Sequence, residues 1–257
     1  MDAGLRTPLV DLFRRGEASR EAKLLAARGG FAPRALEQLA LLLLLADDGD
    51  PEVASAARAT IDALPADRLR GLLARSDVPP EVRAFFAARG IEPAAQPAEE
   101  GEAPLIDATD AADAGAPAGG AEPERLQVSA LPVTEKLKLA VKGTREQRAV
   151  LVRDPNRIVA VAVLSSPKLT ESEIESFARM ANVTDEVLRI IGTNRQWTHH
   201  YAVVAALVRN PKTPPAVSLN LINRLAERDI KALSIDRNVP EALRLAARKY
   251  LAKAAGR

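Results

Sequence analysis

At 257 residues the chain has room for two domains of ordinary size, and with 47% hydrophobic but only 3% aromatic residues its core must be built from Leu, Ala, Val and Ile. The absence of cysteine excludes disulfides, thiolate metal sites and cysteine nucleophiles together. The net charge of +2 conceals three unlike segments: residues 1–92 carry 13 Lys/Arg against 14 Asp/Glu, residues 93–126 carry 1 against 8, and residues 127–257 carry 22 against 12, so only the last can attract polyanions.

The first residues, with Asp2, Arg6 and Asp11, lack a signal-type apolar core. The longest apolar runs, 39–46 and 201–208, fall far short of the ~20 residues that span a bilayer. The expectation is a cytoplasmic protein without membrane insertion.

Residues 1–92 read as consecutive short helices. Thr7-Pro8 opens LVDLFRR and Gly16 stops it; Ser19 caps REAKLLAAR, which Gly29-Gly30 ends. Pro33 opens RALEQLALLLLLA, apolar on nearly every face and therefore the expected central buried helix of this half. Asp50-Pro51 opens EVASAARATIDAL, Pro65 restarts ADRLRGLLARS, and Pro79-Pro80 restarts EVRAFFAARG. Residues 93–126 are dominated by Ala, Pro, Gly, Glu and Asp, with Leu105-Ile106 almost the only bulky apolar pair. Such a stretch cannot bury enough surface to offset the entropy of ordering, which predicts a disordered acidic linker.

Residues 127–257 restart as helix. Thr134 is the expected cap of EKLKLAVK, and Thr144 with Gln147 forms a capping box before REQRAVLVR. RIVAVAVL, after Asp154-Pro155-Asn156, has the β-branched content of a strand, but its neighbours are helical and no second strand is evident to pair with it. Thr170 with Glu173 makes another capping box, and Thr184-Asp185 opens EVLRIIG. Arg195-Gln196 opens WTHHYAVVAALV as one helix, Pro214-Pro215 opens AVSLNLINRLA, Arg228-Asp229 opens IKALSI, and Pro240 opens the last helix.

Self-similarity is the strongest signal. The stretch from Ser165 aligns without gaps on the stretch from Arg209, at an offset of 44 residues, so that Pro167 meets Pro211, Phe177 meets Leu221, Ile191 meets Ile235 and Asn194 meets Asn238. A weaker match relates Asp77-Val78-Pro79 to Asn238-Val239-Pro240. Each unit is a short helix, a polar turn of Asn or Asp with Pro, and a longer amphipathic helix. A pair of this kind cannot cover its own apolar face, so units must stack. The expected fold is all-α: two α-solenoid domains, 1–92 and 127–257, joined by the acidic linker 93–126.

HHYAVVAALVRNPKTPPAVSLNLINRLA and RAVLVRDPNRIVAVAVLSSPKLT, in which an aliphatic helix runs into an Asn/Asp/Ser-Pro turn and restarts at Thr or Pro, resemble bacterial helical repeats of the HEAT and leucine-rich-repeat-variant type. The resemblance covers roughly 134–257 and more faintly 50–92, and is closest to a bacterial group sharing this C-terminal region. It implies a fold and no activity. The irregular spacing and the lack of a cysteine cluster depart from that pattern, so an inherited metal-cluster role is excluded.

His199-His200 are the only histidines, and neighbours on a helix point about 100° apart, so they cannot chelate one ion without a third ligand. No HExxH, GxSxG, Walker-type or GxGxxG pattern occurs. Glu171, Glu173 and Glu175 crowd one helix start, where complementing the helix dipole accounts for them. No catalytic residue, metal or cofactor is therefore expected.

The candidate binding residues are polar groups at helix joints: Arg153, Asn156 and Arg157; Asn194 and Arg195; Arg209, Asn210 and Lys212; Arg237 and Asn238. If equivalent turns line up along one edge, they form a basic ridge for phosphate-bearing or acidic partners. The plainer reading is that each Asn or Asp caps its own turn and each Arg pairs with a nearby acid. Trp197 and Tyr201, beside Arg195, are candidates for a binding anchor as well as for packing between repeats. The expected function is a non-enzymatic adaptor or scaffold for a protein partner; the alternative is nucleic-acid or nucleotide binding through the basic segment.

Overall fold

Thr7, Ser19 and Asp50 each turn a side-chain oxygen back on a nearby backbone N–H, meeting Val10 N at 3.3 Å, Ala22 N at 3.3 Å and Glu52 N at 2.9 Å. They open the first, second and fourth helices of a computed structural model that describes residues 7–30, 32, 34–96, 104–106 and 128–255. Among these residues every regular element is helical, and no helix is long and apolar enough to cross a membrane. The expected opening at Pro33 and most of the expected disordered linker lie outside the described residues.

The helices are α1 Pro8–Arg14, α2 Arg20–Ala27, α3 Ala35–Leu45, α4 Pro51–Asp62, α5 Ala66–Leu73, α6 Pro80–Ala87, α7 Val133–Lys142, α8 Arg145–Leu151 and α9 Arg157–Leu164. There follow α10 Glu171–Arg179, α11 Asp185–Thr193, α12 Arg195–Thr198, α13 Tyr201–Arg209, α14 Pro215–Leu221 with a 3-10 turn at Ile222–Arg224, α15 Glu227–Ile235 and α16 Glu241–Ala255. They gather into two compact units: residues 1–147 with 165–168, and residues 148–164 with 169–257.

In the first unit, α3 is buried along almost its whole length, as its composition predicts, and packs against α1, α2 and α4. α7 packs on α2. The C-terminal end of α5 is closed by Arg83, whose guanidinium donates to the carbonyls of Leu73 (2.9 Å) and Arg75. Glu37, on α3, is buried and accepts a hydrogen bond from the Thr7 hydroxyl. Burial pushes its carboxyl above the ordinary glutamate value, against the smaller opposing effects of Thr7 and Arg34.

In the second unit, α9 is buried from Ile158 to Leu164 and is helical despite its valines, packing on α11. With all faces covered and neighbours that are helices, tertiary context overrides β propensity. α11 also crosses α14 closely at Gly192, where an added Cβ would stand 2.3 Å from Val217 Cγ1.

One turn recurs in both units. A short polar residue at a helix end accepts the backbone N–H two residues on: Asp48 from Asp50 (2.9 Å), Asp154 from Asn156 (2.8 Å), Ser166 from Lys168 (3.4 Å), Asn194 from Gln196 (2.9 Å), Asn210 from Lys212 (3.0 Å) and Asp236 from Asn238 (2.9 Å). Ser166 and Asn210, paired by the 44-residue offset, match further. Both are buried, and each donates to the carbonyl of the penultimate residue of an earlier helix: Ser166 Oγ to Val141 O at 2.7 Å, Asn210 Nδ2 to Ala178 O at 2.8 Å. The alignment then slips, because Asp236 rather than Asn238 occupies the turn position matching Asn194.

Three local expectations are corrected. The helix expected over 195–208 breaks at His200, which is extended (φ −79°, ψ 121°). Arg224 donates to Thr198 O, the acceptor a continuous helix would offer to Ala202 N–H. The cap expected at Thr134 is displaced to Pro132, and α15 opens at Glu227, two residues before Asp229. Glu173 completes the expected capping box with Thr170 and, beyond it, forms a buried two-point pair with Arg148, Nε–Oε1 and Nη2–Oε2 both at 3.0 Å.

Removing one partner of such a pair strands a buried charge, so Glu173→Ala lowers the unfolding free energy by about 3–5 kcal/mol, read from urea denaturation, while an Arg148→Met/Glu173→Leu chain loses much less. For Glu37 the folded chain keeps its proton to higher pH than the unfolded chain does. Its stabilising effect is therefore complete below the ordinary glutamate value and is lost as pH rises through the raised one. Glu37→Gln flattens that decline in a plot of denaturation midpoint against pH.

Candidate functional site

α13 carries an aliphatic and alanine-rich sequence whose small residues leave room beside it. Ala202, Ala205 and Ala206 floor a groove of about 490 Å³ in the second unit. Tyr201 and Arg209 stand at the two ends of this helix, Arg179 ends α10, and Arg228 and Asp229 belong to the first turn of α15.

Asp229 organises the rim. It is buried, yet three cations or donors converge on it: the Tyr201 hydroxyl donates to Oδ2, Arg209 Nη2 donates to Oδ1 at 2.6 Å, and Arg228 Nε lies 3.9 Å away. Tyr201 Oη in turn accepts from Ala226 N–H at 3.1 Å. The carboxylate therefore fixes the tyrosine and an arginine while leaving Tyr201 45% exposed. Arg179 pairs with Glu175 on its own helix and stays largely exposed, and Arg228 is 88% exposed. Around the groove the free faces are cationic and hydrogen-bonding, and its one carboxylate is already engaged.

A second, shallower groove of about 590 Å³ in the same unit is lined by Arg195, Trp197, His199 and His200 with Leu169 and Glu171. His200 Nε2 lies 2.8 Å from Glu171 Oε1, and the two imidazoles are edge-on at 6.1 Å. Because α12 breaks before Tyr201, Trp197 and Tyr201 do not share one helix face and line different grooves.

The candidate residues thus divide. Tyr201, Arg209 and Asn210 share the first groove; Arg195 and Trp197 share the second; Arg153, Asn156, Arg157, Asn194, Lys212, Arg237 and Asn238 lie outside both. Asn156 and Asn194 cap α9 and α12, through Ile158 N–H (3.0 Å) and Gln196 N–H, and Asn210 fills the buried turn described above. Arg153 donates to Ala149 O at 2.8 Å and Arg157 pairs with Glu186 at 3.3 Å. Lys212, Arg237 and Asn238 are exposed. Among the described residues no three His, Asp or Glu side chains gather as a metal site.

Sequence reasoning missed Asp229, Arg179 and Arg228. Asp229 lies 28 residues from Tyr201 and 20 from Arg209, so no local spacing announces it. The only available signal is that an acid at the first turn of a helix is usually exposed, and this one is not.

Asn210→Ala leaves Ala178 O and Met180 O (2.9 Å from Asn210 Nδ2) without their donor, and lowers stability by about 1–3 kcal/mol in chemical denaturation. Lys212→Ala, at an exposed position, shifts it by less than about 0.5 kcal/mol.

Compared with models of known protein families, with curated proteins and with solved structures, the chain matches none of them.

Proposed function

We propose that the protein is a non-catalytic adaptor, built from stacked helix pairs of the α-solenoid kind and acting in the cytoplasm, whose second unit holds a partner protein through an acidic segment. The segment lies along the groove between α10, α13 and the start of α15. The carrying observation is the rim of three arginines, Arg179, Arg209 and Arg228, over an alanine floor, with Asp229 holding Arg209 and Tyr201 in place.

Preorganisation of this kind favours binding, since the tyrosine and Arg209 lose little freedom when a ligand arrives. A half-exposed tyrosine beside arginines has the composition that dominates protein interfaces. The turn recurring in both units supports the stacking.

The experiment is selection from a displayed random-peptide library with the full-length chain as bait. Selected peptides are rich in Asp and Glu around an apolar residue, and Arg228→Gln, which removes the charge of an 88% exposed side chain without setting a second carboxylate beside Asp229, weakens them severalfold. Their affinity falls modestly with salt. If instead no acidic peptide is enriched and single-stranded oligonucleotides bind with an affinity falling steeply with salt, the nucleic-acid reading replaces this one.

A further inference from the structure

α3 reads ALEQLALLLLL, and a glutamine in the middle of so apolar a helix needs a partner for each polar atom. Gln38 is 1% exposed. Its Nε2 donates to Gly29 O at 3.0 Å, just beyond the end of α2, where Gly29 has the left-handed φ of 77°. An added Cβ on Gly29 would stand 3.1 Å from that same nitrogen. The other two hydrogen bonds leave the helical core. Gln38 Nε2 also donates to Ile106 O at 2.7 Å, and Ile106 N–H donates to Gln38 Oε1 at 3.1 Å.

The carboxamide thus pairs with both backbone groups of one residue, the way one strand reads another, 68 residues away in the chain. Leu105, next to it, is 4% exposed, and Arg68 on α5 donates to its carbonyl at 3.5 Å. Pro104 has a fixed φ and no N–H to satisfy, and the chain bends at Leu105. Residues 104–106 are therefore held by one buried leucine and by contacts to main-chain atoms. Main-chain contacts carry no preference for these particular side chains, so any peptide that bends in the same way with a leucine at the first position meets the same requirements.

We infer that the first unit carries a peptide-recognition slot centred on Gln38, which the chain fills with its own Pro104–Ile106 and which a leucine-bearing segment of a partner protein, bent in the same way, enters by displacing it. The slot is separate from the groove of the second unit and does not depend on its function. The resident segment has a large advantage. It is joined to the same unit through Ala94, whose N–H donates to Arg70 O at 3.0 Å, and a short chain connection gives an effective concentration on the order of millimolar. A partner segment must bind tightly or arrive in tandem with a second contact to replace it.

The test uses the full-length chain and a fluorescein-labelled peptide of residues 101–109, GEAPLIDAT, followed by anisotropy. Leu105→Asp expels the resident segment, because an aspartate cannot occupy the buried leucine position unpaired. The Leu105→Asp chain binds the peptide at least tenfold more tightly than the wild-type chain does. Adding Gln38→Met, which keeps volume but removes the amide, weakens that binding at least tenfold. Circular dichroism of each chain verifies that the helices persist. Independently of any substitution, the Ile106 amide of the wild-type chain exchanges with deuterium at least tenfold more slowly than an unprotected amide. The inference is overturned by absence of binding to the Leu105→Asp chain, by equal binding to both chains, by indifference to Gln38→Met in a folded chain, or by unprotected exchange at Ile106.

Discussion

A helix joint is ordered only if the N–H groups beyond it find partners, and in this chain a single short polar side chain accepts one of them at joint after joint. Asp48, Asp154, Asn194, Asn210 and Asp236 leave the helix in an extended conformation or in a turn and take the N–H two residues on, so the next helix starts at a fixed angle and distance. Ser166 and Asn210 add a second bond back to an earlier helix and so couple three elements through one side chain. With aromatics scarce, the core consists of small and aliphatic side chains that interlock weakly by shape, and these polar joints set which helices meet. The close crossing of α11 and α14 at Gly192 depends on the absence of a Cβ there.

The buried polar groups away from the joints add specificity more than stability. Arg148 and Glu173 gain little net free energy over an apolar pair of the same volume, since both charges lose their hydration. They do forbid alternatives, because a shifted register would leave a charge unpaired. Gln38 acts likewise for α3, whose run of leucines could otherwise rotate about its axis without penalty. Glu37, one residue earlier and held to Thr7, points to a different neighbour, and the two together fix the rotation of that helix.

The fold was largely legible where its causes are local. Caps at Thr7, Ser19, Asp50, Thr170 and Thr184 follow from residue type and position, and the buried character of α3 from its composition. The 44-residue repeat correctly paired Ser166 with Asn210 because both do the same two jobs. It failed two residues from Asp236, since Asn, Asp and Ser all serve at the turn and an alignment of identities favours the wrong one. The break at His200 was illegible in the local sequence, and the group that takes up the freed Thr198 carbonyl, Arg224, lies 26 residues downstream. The same holds for Asp229: its neighbours in the groove come from three separate elements, and only folding brings them together. Residues 104–106 looked like part of a tract too polar to order, and composition could not show that one leucine and one backbone pair suffice when the receiving glutamine is already buried.

The two sites obey different physics. In the proposed reading, arginines at the rim of the α13 groove would act through a field that salt screens over about 8 Å at physiological ionic strength, and would govern encounter rate more than residence. Of the basic side chains near the joints, Arg157 is paired with Glu186 and Arg209 with Asp229. The Gln38 slot works through hydrogen bonds sheltered from water and one buried leucine, which salt hardly affects. A partner using both would be drawn in by charge and retained by main-chain pairing. Its binding would then lose rate but keep residence time as salt rises, a combination that neither site produces alone.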